Sequence, residues 1–392
     1  MMQNERIATP WSAEMSRSSR FAWGVFAGTF AVAASAEPPA PSVRHQLQAG
    51  AQRLVTEGRT DGLSIAMIRC GQMTFLPLGI ADRHTRRPMT ADTVFEIGSV
   101  SKSLTALLLA QAVVEGRARL EDDVRRYLPE PYPNLQWSDG TPITLGQLAD
   151  TTSGLPDYLP DPAPLAKLPA DGQVFAASDL LRAYRNQDFL RDLHGIHLLA
   201  RPGSASRHSN VAAQLLGVVL ARLFEQPFQA ALAGHIERPA GMGSGVASVP
   251  DGNAAVGYDD RHRVMPAFTG ESIMPAGGLQ YSARDMARYL MLQLRPNDRA
   301  VALSQRVRFS DTPDRQLALT WVVSTEGGVQ KYRMSGGTFG SSSYVEFYPA
   351  LQYGVALMAN RAAPDTQDEL QAVAEAAFTA GGRDLPACPV RK

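Results

Sequence analysis

The stretch that most constrains this chain runs from Phe95 to Leu104, Phe-Glu-Ile-Gly-Ser-Val-Ser-Lys-Ser-Leu. An extended apolar approach ends in Gly98, and a long helical run then opens, from Ser101 to about Val114. Lys102 follows Ser99 by three residues. Positions i and i+3 share a helix face, so the two side chains are expected next to each other at the helix N-terminus. That end carries unpaired N–H groups and a partial positive charge. A hydroxyl set there beside an amine has what a serine nucleophile needs. Alone the signal is weak, because Ser-x-x-Lys is common and a serine at a helix start is ordinarily an N-cap.

The rest of the chain supplies a fold class. Leu47, Ala51, Leu54 and Val55 make a helical stripe across His45–Thr56. Leu63–Arg69 reads as a buried strand, turned through Cys70-Gly71 into Met73–Gly79. Pro131–Pro202 is loop-rich with short helices such as Ala177–Arg185, and Val211–Leu223 and Ser282–Leu294 are longer ones. Beyond Pro296 come strand-like runs at Leu317–Val323, Gln330–Met334, Ser341–Tyr348 and Tyr353–Ala359, then a last amphipathic helix through Leu370, Val373, Ala374, Ala377 and Phe378. The expected class is α+β: an antiparallel sheet flanked by N- and C-terminal helices, with a mostly helical region inserted. The sheet lobe would take residues of about 42–98 and 275–392, and the helical lobe about 99–274.

At 392 residues and 44% apolar the chain has ample material for a core, and 38 basic against 38 acidic residues leave no excess charge to draw it to nucleic acid. The first 36 residues differ. Arg17 and Arg20 precede the uncharged run Phe21–Ala33 and then Ala34-Ser35-Ala36, the layout of a secretory signal peptide cleaved before Glu37. The run is short for a membrane span. Met15 is an alternative start, an uncleaved anchor an alternative outcome, and Pro38–Pro41 reads as a linker. The mature chain, 37–392, is expected to be periplasmic or secreted, with no membrane span. Export permits disulfides. Cys70 and Cys388 are the two cysteines, and a bridge tying the tail to the hairpin tip and two free thiols both stay open.

A serine–lysine nucleophile also needs a proton shuttle and an oxyanion hole. His208-Ser209-Asn210 follows a Pro202-Gly203 turn just ahead of an apolar helix. An imidazole can take and return a proton near neutrality, and Asn210, two residues on, can face the same way and hold Lys102 or a substrate carbonyl. The stretch Arg333–Gly340, Arg-Met-Ser-Gly-Gly-Thr-Phe-Gly, offers the oxyanion hole. Small residues at a strand edge admit substrate backbone and leave N–H groups for an oxyanion. Seen singly, these stretches are a helix cap and a glycine turn. Other chemistries fail: no G-x-S-x-G elbow surrounds a serine, no lysine follows a phosphate-binding glycine loop, and His194 and His197 lack further metal ligands. No metal and no cofactor is expected.

Together the three stretches resemble the serine β-lactamase and penicillin-binding-protein superfamily, in the branch of class C β-lactamases, D-alanyl-D-alanine peptidases and β-lactamase-fold esterases. The resemblance runs from about Leu63 to Phe378. It is carried by Ser99–Lys102 behind Thr93–Gly98, and in order by Gly79–Asp82, Pro142–Leu148, Thr152–Pro156, Pro239–Met242, Pro275–Leu279 and Gly340–Pro349. Two motifs depart from the family. Where it has Tyr-x-Asn, with tyrosine as base, this chain has His208-Ser209-Asn210; where it has Lys-Thr-Gly or His-x-Gly, this chain has Met334-Ser335-Gly336.

The resemblance implies an acyl-enzyme on Ser99, with Lys102 and His208 sharing the proton work and Asn210 ordering Lys102 and the acyl amide. It assigns the oxyanion hole to the N–H groups of Ser99 and Gly337, and substrate contact to Met334, Ser335 and Gly336. Methionine cannot supply the cation that holds an acidic substrate group, and a lost hydrogen bond to a charged group costs about 1.5–3 kcal/mol. Arg333 and Arg207 are candidates to compensate, although a residue adjacent on a strand points to the opposite face. The expected activity is therefore esterase- or amidase-like, on a small ester, amide or peptide. The alternatives are an impaired module that binds cell-wall peptide or a partner, and a β-lactamase or D-alanyl carboxypeptidase.

Overall fold

The computed structural model describes residues 42–243, 252–312 and 315–382, with 385, 387 and 388. The expected signal peptide, its cleavage site and the linker lie outside them. Among the described residues the chain from both ends supplies one antiparallel sheet of nine strands. The N-terminal part gives β1 (Gly62–Arg69), β2 (Gln72–Asp82) and β3 (Arg87–Pro88). The C-terminal part gives β4 (Phe309–Thr312), β5 (Arg315–Leu317), β6 (Val322–Glu326), β7 (Val329–Gly337), β8 (Ser342–Tyr348) and β9 (Tyr353–Ala359). Their order is β3-β2-β1-β9-β8-β7-β6-β5-β4, so β1 joins the two halves by pairing Leu63 with Ala359 through Arg69 with Tyr353.

Side chains alternate across a strand, and this alternation divides the core in two. Leu63, Ile65, Tyr344, Val355 and Leu357 meet α1 (Val43–Thr56) and the C-terminal helix Thr366–Ala377 through Leu47, Ala51, Leu54, Leu370 and Val373. Ala66, Ile68, Val345, Phe347, Ala356 and Met358 face the other core. There lie α2 (Ser101–Val114), α3 (Asn210–Leu223) and α4 (Ala283–Gln293), so the C-terminal helix is α5. Ser101 through Ala110 of α2 are all buried. Fully burying one leucine is worth about 1.5–3 kcal/mol, so Leu104, Leu107, Leu108 and Leu109 fix this helix, and with it the position of Lys102.

The apolar run expected as one strand at Leu317–Val323 is two, β5 and β6, broken at Ala318–Trp321. Thr320 takes φ +75° there, and its hydroxyl donates to the Ala149 carbonyl at 3.1 Å. Ala318, Leu319 and Trp321 are all buried, so hydrophobicity alone could not reveal the corner. The helix expected from Ala177 starts earlier, spanning Ala170–Ala183. Cys70, at φ +50° on the tip between β1 and β2, is disulfide-bonded to Cys388, with Cα atoms 5.4 Å apart. Under α5, Lys331 of β7 contacts Glu326 at 3.2 Å, Glu346 at 3.3 Å and Glu375 at 2.7 Å. Burial pushes Glu346 up to about 7, with the Lys331 charge opposing.

Candidate active site

The short strand Val94–Glu96 pairs with Gln280–Ser282 and delivers the chain to Gly98, at φ +52°. A Cβ on Gly98 would lie 2.5 Å from the Gly337 nitrogen and 2.6 Å from its oxygen. Glycine therefore serves both the left-handed backbone and the close approach to β7. Ser99 stands in a single 3-10 turn, Gly98–Val100, which precedes α2. This differs from the expected first α-helical turn, but the tighter turn still brings Lys102 round to the hydroxyl.

Lys102 Nζ donates to Ser99 Oγ at 2.8 Å, Asn210 Oδ1 at 2.8 Å and the Ala276 carbonyl at 2.7 Å. Those three acceptors match the three donors of an ammonium. The side chain is buried, and desolvation lowers its pKa from 10.5 to about 7, against an opposing pull from the Asp157 charge. A free amine able to accept the Ser99 proton is thus accessible near neutral pH.

Asn210 begins α3, and Ser209 caps it: Ser209 Oγ accepts from the Ala212 N–H at 3.0 Å and donates to the Pro156 carbonyl at 2.6 Å. The cap reading and the site reading of His208-Ser209-Asn210 are therefore compatible. His208 lies beside Ser99, with Nε2 3.5 Å from Oγ. Its other nitrogen, Nδ1, is 2.9 Å from Asp157 Oδ1. That same carboxylate oxygen accepts from the Asn210 backbone N–H at 3.0 Å and from Nδ2 at 3.1 Å. Burial acts to raise the Asp157 pKa, but the His208 bond and charge, the Asn210 N–H and the Lys102 charge outweigh it and hold the group below the usual carboxylate range. Asp157 is a residue that sequence reasoning missed; it directly follows the stretch Thr152–Pro156.

These groups open on a cleft of about 680 Å³. Ser99, Lys102, His208, Asn210, Met334, Ser335 and Gly337 line it, while Gly336 lies behind, where a Cβ would meet the Ile97 carbonyl at 2.2 Å and the Ser99 nitrogen at 2.9 Å. From Met334 to Gly337, β7 is registered with β8, whereas its pairing with β6 ends at Arg333. Among the described residues this leaves the edge beside the cleft without a partner strand.

Three arginines also border the cleft, Arg207, Arg315 and Arg333. Arg333 donates to Gln371 at 3.3 Å, and Arg315, not expected from the sequence, donates to Ser206 at 3.1 Å and pairs with Asp311. An apolar recess of about 130 Å³ adjoins the cleft, lined by Leu159, Leu181 and Ile273 among others, and shares Tyr158, Asn210, Phe268 and Phe339 with it. His194 is used elsewhere, stacked on Tyr132 at 4.2 Å with Nε2 3.1 Å from Glu130.

A serine on a 3-10 turn with a desolvated lysine on its hydroxyl, held between a helical region and an open strand edge, is an arrangement suited to acyl transfer through the serine oxygen. The sequence profile of the Beta-lactamase family matches residues 47–378, and the chain belongs to that family. It is 27% identical over 354 residues to the Beta-lactamase of Escherichia coli (strain K12), covering 80% of this chain and 87% of that protein. It is 32% identical over 240 residues to Esterase EstB of Burkholderia gladioli, covering 58% and 59%. The fold matches Beta-Lactamase/D-Alanine Carboxypeptidase from Pseudomonas syringae at a TM-score of 0.70 and 23% identity, over 86% of this chain and 98% of that one. A class C β-lactamase from Rhodobacter sphaeroides matches equally well, at 0.70 and 24%, over 85% and 98%. The chain is a serine hydrolase.

Proposed function

We propose that this hydrolase forms an acyl-enzyme on Ser99 and acts on uncharged carboxylic esters or amides in preference to anionic β-lactams. The observation that carries the reading is Met334, which borders the cleft at the motif where the family resemblance would place a lysine or histidine to hold an acidic substrate group. Neutral Lys102 takes the Ser99 proton as Oγ attacks the acyl carbon. The tetrahedral oxyanion is received by the Ser99 and Gly337 N–H groups, in the manner of an oxyanion hole. Collapse expels the alcohol or amine, which leaves with that proton. Water then attacks the acyl ester, His208 takes its proton, and Ser99 is regenerated. Asn210 keeps the Lys102 amine on Ser99 throughout, and the neighbouring apolar recess supports a hydrocarbon acyl group.

The sequence layout around Ala34-Ser35-Ala36 supports export with cleavage before Glu37 as part of the same proposal. Arg207, exposed on the cleft wall, favours a second reading in which it receives a carboxylate in place of the missing lysine. Comparing kcat/KM for p-nitrophenyl butyrate and benzylpenicillin tests the choice. The first reading expects the ester to lead by about ten- to a hundredfold, the value of one charge-assisted hydrogen bond. Equal or faster turnover of the penicillin overturns it.

A further inference from the structure

We infer that Asp157 is a positioning residue that holds His208 as the base of the water step, so that a Ser99–His208–Asp157 line works beside the Ser99–Lys102 pair. The inference rests on the acyl-enzyme reading above. An imidazole carries two nitrogens, and the bond one of them makes decides what the other can do. With Nδ1 2.9 Å from the Asp157 carboxylate, the ring proton belongs on Nδ1 and the Nε2 lone pair faces Ser99 Oγ. The carboxylate is itself fixed by two N–H donors of Asn210, the first residue of α3, and the Asp157 carbonyl accepts the Asn210 backbone N–H as well, at 3.1 Å. A tyrosine in the position of His208 has no second nitrogen for a carboxylate to orient. The exchange to histidine is what gives Asp157 this work.

Burial and geometry divide the two bases. The Lys102 amine is enclosed, and its three directions are occupied by Ser99, Asn210 and the Ala276 carbonyl. It has no direction left for a water. The His208 side chain is 53% exposed, and its Nε2 stands 3.5 Å from Oγ, beyond a tight hydrogen bond and within reach of an entering water. As that water's oxygen adds to the acyl carbon, one of its protons passes to Nε2. The tetrahedral intermediate then breaks its bond to Oγ, the proton returns from Nε2 to Oγ, and the carboxylic acid departs.

Stopped-flow hydrolysis of p-nitrophenyl butyrate by the full-length protein separates acylation, read as the p-nitrophenol burst, from the water step, read as the steady rate. Asp157→Asn should keep the burst rate within about threefold and lower the steady rate at least tenfold, with acyl-Ser99 accumulating by intact mass. In a His208→Ala background the same substitution should add nothing, which separates positioning from a merely structural role through Asn210. Equal slowing of burst and steady rate, or a full additional loss in the His208→Ala background, overturns the inference while the acyl-enzyme reading stands. No acyl-Ser99 in either the wild type or Asp157→Asn overturns both.

Discussion

Replacing Lys102 by methionine removes a buried ammonium, and the pH dependence of stability reports what that ammonium costs. Lys102 titrates at about 7 in the fold, against 10.5 when solvated, because burial withholds water from its charged form. The unfolded chain therefore binds more protons than the folded one between about pH 7 and 10.5, and stability rises with pH across that window. Integrated from pH 6 to pH 9, this one group contributes a rise of roughly 3 kcal/mol. Glu346 drifts the other way: burial raises it to about 7, so its contribution is present below 4.5 and is lost as the pH climbs through about 7. Both proteins keep Glu346, and their difference isolates Lys102. Urea unfolding of wild type and Lys102→Met at pH 6, 7.5 and 9 should show the wild type gaining roughly 3 kcal/mol on the variant over that range. Parallel pH profiles would refute the reasoning. Lys102 would then be solvated in the fold, with no free amine near neutrality to activate Ser99. In the same wild-type protein, acylation should speed up with pH through about 7 as that amine loses its proton.

Restoring a cation with Met334→Lys should tighten penicillin binding about ten- to a hundredfold, measured as the concentration for half-maximal competition against ester hydrolysis. Lys331→Met leaves Glu346, fully buried, facing Glu326 and Glu375 without its cation. Removing one partner of a buried pair costs about 3–5 kcal/mol, and the loss in urea midpoint should be largest near pH 8 and shrink toward pH 5 as Glu346 takes up its proton. Cys70→Ser or Cys388→Ser opens a loop with a sequence separation of 318 residues. That should lower stability by about 2–4 kcal/mol, matched in the wild type by adding dithiothreitol; an unchanged melting temperature would count against a stabilising bridge.

What the sequence revealed depended on how local the cause was. Ser99 and Lys102 meet because a turn of helix makes them meet, and His208 and Asn210 arrive with the cap that starts α3. Strands β7 to β9 announce themselves by apolar runs separated by turn residues. The contacts that define the proton line are of another kind. Asp157 reaches His208 across 51 positions of chain, through a loop whose path is set by Ser209 bonding back to the Pro156 carbonyl. No spacing rule predicts that contact. A clue lay in the histidine itself, since an exposed imidazole acting as a base needs a partner for its second nitrogen. Arg315 escaped notice for a related reason: it reaches the cleft from the strand next to the far edge of the sheet, a strand of three residues. The corner at Thr320 was hidden by burial on every side, which erases the alternation that marks a strand end.

The proposed role of the Ser99 hydroxyl is that of a nucleophile activated by Lys102. It is tested most directly by treating the protein with a fluorophosphonate probe at pH 8 and mapping the adduct by mass spectrometry. The structure predicts one adduct, on Ser99, formed stoichiometrically in the wild type, slowed at least a hundredfold in Lys102→Met and absent in Ser99→Ala. An adduct on any other serine, or equally fast labelling of Ser99 with Lys102 removed, would contradict it.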